Sequence, residues 1–80
     1  MSEYLATFHT HLSAMITRKN LENNGIECTF APVPRVLSSS CGTCIKYSAK
    51  EGCKESMDRD CEAIYKVVDF EKYERLVYFG

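Results

Sequence analysis

Two cysteines, one in a loop and one just past its end, hold most of the chemistry this sequence offers. Cys41 lies in Pro32-Val33-Pro34-Arg35-Val36-Leu37-Ser38-Ser39-Ser40-Cys41-Gly42, and Cys44 follows three positions later. A thiolate, not a thiol, takes up sulfane sulfur or ligates a metal, and a free cysteine with a pKa of about 8.5 needs positive charge or N–H donors nearby to ionise at neutral pH. Arg35 offers the charge. Pro34, Ser38, Ser39, Ser40 and Gly42 suit an anion-binding loop, the serines and Gly42 adding hydroxyl and amide donors and Gly42 permitting positive φ or close approach of a substrate. Against this stands a plainer reading, in which proline, serine and glycine only build a turn and the cysteine is inert.

Cys41-Gly42-Thr43-Cys44 is also a C-x-x-C, which can be a redox pair or half of a metal site. Redox pairs of the thioredoxin type stand where a strand gives way to a helix, whereas this pair leads into a strand. No second C-x-x-C or H-x-x-x-H completes four zinc ligands. Cys44 can still act as a resolving thiol, attacking a persulfide or sulfenic acid on Cys41 to form a disulfide. Cys28, Cys53 and Cys61 fall on apolar phases and read as core. His9 and His11 are an imaginable metal or acid–base pair and more simply polar turn residues. Asp58, Asp60 and Glu62 read as a solvated helix face. No hydrolase triad, phosphate-binding glycine loop or cofactor motif stands out.

The elements that must hold this loop follow from periodicity. Residues 4–9 (Tyr-Leu-Ala-Thr-Phe-His) suit a first strand, and Thr10 is an N-cap candidate. Leu12, Met15 and Ile16 at i, i+3 and i+4, with Leu21 beyond, predict an amphipathic helix over 11–24 packed by that stripe, and Asn23-Asn24-Gly25 stops it. Ile26, Cys28 and Phe30 alternate with polar or small residues in a second strand that ends at Pro32-Val33-Pro34. The loop from there to Gly42 runs about nine residues, longer than the two to five of a plain hairpin. A third strand then puts Ile45 and Tyr47 inward and Cys44 on the opposite face.

Cys53, Met57, Cys61 and Ile64, spaced four, four and three apart, predict a second helix over 50–64. Residues 65–70 read as a fourth strand, and 71–80 are open between a further strand, a helical turn and a partner-binding tail. The resulting β-α-β-β-α-β order predicts an α+β, ferredoxin-like sandwich: a four-stranded antiparallel sheet with two helices on one face. With 80 residues and no divisible linker, one domain over 1–80 is expected.

Composition narrows the function classes. The chain is 45% hydrophobic and 26% charged, which is globular rather than disordered or membranous. Ten basic and eleven acidic residues give a net charge of -1, and the basic ones are scattered, so neither nucleic acid nor a membrane surface is an expected partner. No apolar run reaches a membrane span and the first residues lack a secretory pattern, so a cytoplasmic location is expected. An odd count of five cysteines there reads mostly as thiols.

The P-x-P-R element followed by L-S-S-x-C-G and a strand resembles the family described as putative selenium/sulfur carrier protein-like. The likeness extends over roughly residues 4–48, including the strand ending in Phe8, the helix carrying Ala14 and the Asn24-Gly25-Ile26 turn; Cys44 departs from the apolar or small residue expected at its position. The resemblance implies that Cys41 carries sulfur or selenium between a protein donor and a protein acceptor. That would be a carrier rather than a turnover enzyme. Two other readings stand beside it: a metal-binding or thiol redox module using Cys41 and Cys44, and a small regulatory protein-interaction domain with incidental cysteines.

Overall fold

The computed structural model describes residues 1–37, 39 and 41–80. Strand β1 (Ser2–Phe8) leads into helix α1 (His11–Asn23), followed by strands β2 (Cys28–Pro32), β3 (Thr43–Ala49), β4 (Cys61–Asp69) and β5 (Lys72–Tyr78). All five strands join one antiparallel sheet in the order β2-β3-β1-β4-β5.

This corrects the expected four-stranded, two-helix sandwich in two places. Residues 50–60 hold a single 3₁₀ turn (Lys54–Ser56) instead of a second helix, and the tail is a fifth strand. The helical spacing of Cys53, Met57, Cys61 and Ile64 misled because two different structures share it. Cys53 takes the left-handed conformation (φ 57°, ψ 42°), which no right-handed helix can continue. Cys61 and Ile64 are three apart in a strand, which should put them on opposite faces. They share one face because the pairing slips between Thr7 and Phe8, so that Phe8 opposes Cys61 while Thr7 opposes Ala63 and Glu62 is the extra residue of a bulge.

The core lies between α1 and the sheet. Tyr4, Ala6 and Phe8 of β1 point to the helix side with Ile45 and Tyr47 of β3 and Cys61 and Ile64 of β4. Tyr4 and Tyr47 are cross-strand partners whose rings stack at 5.5 Å, an arrangement that adds to their area burial. β1 is buried on both sides, as a central strand must be: Leu5 and Thr7 face away from the helix, between Lys46 and Tyr65 and between Cys44 and Ala63 respectively.

Thr10 caps α1, its side-chain oxygen accepting from Ser13 N–H at 3.1 Å. At the other end Gly25 (φ +74°) permits a Schellman closure, with Gly25 N–H donating to Glu22 O and Ile26 N–H to Leu21 O, both at 3.0 Å. Both ends match the sequence expectation, but the packed face does not. The helix buries Ser13, Ala14, Thr17 and Leu21, leaving Leu12, Met15 and Ile16 exposed. Of the predicted stripe Leu21 faces the sheet, and Ser13, Ala14 and Thr17 fill the rest of the contact. No helix is long and apolar enough to cross a membrane among the described residues.

Candidate functional site

The loop carrying Cys41 is pinned at both flanks by backbone bonds. Pro32 and Thr43 form the last rung between β2 and β3, and Val33 N–H donates to Gly42 O at 3.1 Å one step further out. Leu37 N–H donates to Pro34 O at 3.0 Å, making a turn with Arg35 and Val36 exposed at its centre. Ser39 Oγ then donates to Phe8 O at 2.8 Å. That last bond ties the loop to the end of β1, three residues before α1 begins.

This juxtaposition is the part of the site that the sequence hid. The β1–β3 register ends with Thr7 opposite Cys44. Together with the Ser39 bond to Phe8 O, this register brings the loop that carries Cys41 to the end of the sheet where α1 starts. The cysteine pair does lead into a strand along the chain, as its spacing suggested. Even so, a helix N-terminus, whose free N–H groups favour an anion, is brought to that end by pairing rather than by adjacency. Phe8 and Thr10 gave no local signal of this, because the contact joins residues some thirty positions apart.

Gly42 has φ +74°, and a Cβ built on it meets nothing within 4 Å. Its requirement is therefore one of backbone conformation rather than space. Cys41 between Ser39 and Gly42 is half-buried. Arg35 is exposed, and no ion pair or hydrogen bond joins it to the cysteine among the described residues; the ion pair there links Arg18 Nε and Glu22 Oε2 at 3.6 Å. Ser38 and Ser40, two of the anticipated donors, lie outside the described residues.

Cys44 faces away from the helix, as expected, and is fully buried opposite Ala31 and Thr7. Its Sγ–H points to Pro32 O at 3.7 Å. Burial pushes this thiol up to about 11; Lys46 opposes the rise and nearby Cys41 adds to it. Thr7 Oγ1 on the same face is buried without a partner among the described residues. Cys61 is buried in the core and pushed up to about 12, chiefly by burial. Cys28 and Cys53 are half-buried against the core, and desolvation raises both, with Glu22 adding at Cys28 and Glu55 and Glu51 at Cys53.

The two histidines have different neighbours. His9 Nε2 meets Gly80 O at 2.8 Å, while the His11 ring lies 5.6 Å from that of Phe30. No group of three or more histidine, cysteine or acidic side chains is placed to hold a metal ion among the described residues. Asp58, Asp60 and Glu62 do not share a helix face: Asp58 and Asp60 lie in the turn before β4, and Glu62 is the bulge residue.

No curated protein and no solved structure matches the chain significantly. Residues 3–59, which include α1, the pinned loop with Cys41, and Cys44 of β3, match the family described as putative Se/S carrier protein-like, and the chain belongs to that family.

Proposed function

We propose that this protein is a sulfur or selenium carrier that holds the transferred atom on Cys41. The observation that carries the reading is placement: Cys41 stands before positive-φ Gly42 in a loop fastened beside the start of α1, while Cys44 and Cys61 are buried in the sheet, where burial opposes ionisation. A buried, weakly acidic thiol is a poor nucleophile at neutral pH. Family membership supports the carrier class.

In the proposed transfer the Cys41 thiolate attacks the outer sulfur of a protein donor's persulfide. One S–S bond forms at Cys41, the donor's S–S bond breaks, and the donor cysteine leaves as a thiolate, so no external oxidant or reductant enters. Delivery repeats the exchange with an acceptor's thiolate. Gly42 and loop amides hold the anionic persulfide, and exposed Arg35 supplies positive charge to it or to an incoming partner. Cys44 stays in the sheet during the exchange, which weighs against its use as a resolving thiol or a metal ligand.

The test loads the protein with a cysteine desulfurase and cysteine, then reads intact and peptide masses. One added sulfur on the peptide containing Cys41, absent in Cys41→Ser and retained in Cys44→Ala, is the expected result. Sulfur on none of the cysteines, or distributed over Cys28 and Cys53 as readily as Cys41, overturns the reading.

A further inference from the structure

We propose that the exposed stripe of α1 formed by Leu12, Met15 and Ile16 is the docking surface for a protein that exchanges sulfur with Cys41, and that this partner meets it with apolar side chains flanked by carboxylates. The proposal rests on the carrier reading for the purpose of the contact.

Leu12, Met15 and Ile16 are 65%, 49% and 40% exposed, at helical spacing i, i+3 and i+4. They form one ridge on a helix whose sheet-facing side is occupied by Ser13, Ala14, Thr17 and Leu21. An apolar ridge of this kind, rimmed by charge, is the form in which helices are commonly recognised. Phe30 of β2 extends it sideways, lying under Arg18 (5.1 Å from the guanidinium carbon to the ring centroid), and Met15, Arg18, Lys19, Glu22 and Phe30 line a shallow groove between helix and strand. The N-terminal end of the ridge starts where the Cys41 loop is fastened, and Val36 at the turn of that loop is 61% exposed.

Charge selects the partner. The lysines and arginines are scattered along the chain, but the carboxylates are not. None of the eleven lies between Tyr4 and Leu21 or between Cys28 and Lys50, whereas those two stretches hold Arg18, Lys19, Arg35, Lys46 and Lys50. Arg18 and Lys19 stand on α1 beside the ridge and exposed Arg35 on the Cys41 loop, whereas Lys46 lies with Leu5 on the opposite face of the sheet and Lys50 follows the far end of β3. Glu22, at the far end of α1, pairs with Arg18, and no ion pair involves Lys19 or Arg35 among the described residues. A partner with acidic residues around its apolar contacts gains Coulomb attraction here, and a basic one is repelled.

The β4–β5 hairpin supplies the competing occupant. Val68 and Phe70 at its tip are 61% and 79% exposed and alternate with Asp69 and Glu71, so a second copy could offer the same chemistry. The test must separate the two.

The probe is a synthetic amphipathic helical peptide with leucine at i, i+3, i+4 and i+7 and glutamate on its remaining faces, compared with a version carrying lysine in place of glutamate. Titrated into the reduced, isotope-labelled protein, the glutamate peptide is expected to give saturable amide shifts at residues 12–19, Phe30 and Val36. Affinity should fall roughly tenfold or more in Met15→Ser, in Ile16→Ser and in Lys19→Glu, with thermal melts confirming that each variant folds, and should weaken with added salt. Equal binding of the lysine peptide, no saturable shifts, or shifts centred on 67–73 overturns the proposal. So does self-association abolished by Met15→Ser and by Phe70→Ser alike, which makes a second copy the occupant. Cys41→Ser separates this from the carrier reading, because it should abolish sulfur loading and leave peptide binding unchanged.

Discussion

Two segments cross the same face of the sheet, and they do so by different means. The first, residues 9–27, is a helix with its own hydrogen-bond ladder, a threonine cap at one end and a glycine closure at the other. The second, residues 50–60, has one 3₁₀ turn and a local bond from Asp60 N–H to Asp58 Oδ2, and takes much of its support from outside itself. Asn20 Nδ2 donates to Ser56 O at 3.1 Å, Asp58 N–H donates to Thr17 Oγ1 at 2.9 Å, and the Tyr47 hydroxyl donates to Gly52 O. Cys53 and Met57 pack onto the same core that α1 covers. The second crossing therefore depends on the first, and the difference shows that regular secondary structure is needed only where no neighbour satisfies the backbone.

That dependence is open to direct test. Leu21 is fully buried on the sheet side of α1, so Leu21→Ala should cost about 2–5 kcal/mol and loosen both crossings together. Urea unfolding measures it, and a loss under about 1 kcal/mol would mean that α1 does not organise the core. Thr17→Val keeps the shape but strands the Asp58 N–H, and about 1–3 kcal/mol should be lost. Amide exchange should quicken over 56–60 while α1 keeps its protection; equal quickening in both segments would break the proposed asymmetry. Thr10→Ala removes the cap bond to Ser13 and should cost about 1 kcal/mol, confined to the first turn of α1.

The same contrast explains what could be read from the chain. Thr10, Gly25 and the alternation of Cys28 with Phe30 and of Ile45 with Tyr47 are local signals, and each matches the folded protein. Leu12, Met15 and Ile16 announced a helix correctly and its buried face incorrectly. Hydrophobicity says which side prefers burial, but only the packed sheet reveals that the space beneath the helix admits serine and threonine. Residues 50–64 were misread as a helix for a different reason, since the bulge at Glu62 lets a strand imitate a helical spacing.

At the candidate site, Cys41, Gly42 and Arg35 were legible from residue type and spacing, because reactivity and positive φ belong to particular side chains. The burial of Cys44, the anchoring of Ser39 on Phe8 and the meeting of the loop with the start of α1 were not. Residue type and spacing establish which atoms could do chemistry and where the chain could turn. Tertiary structure alone decided which of those atoms lie near one another and which thiols are desolvated, because strand pairing joins distant residues and burial is a property of the whole core.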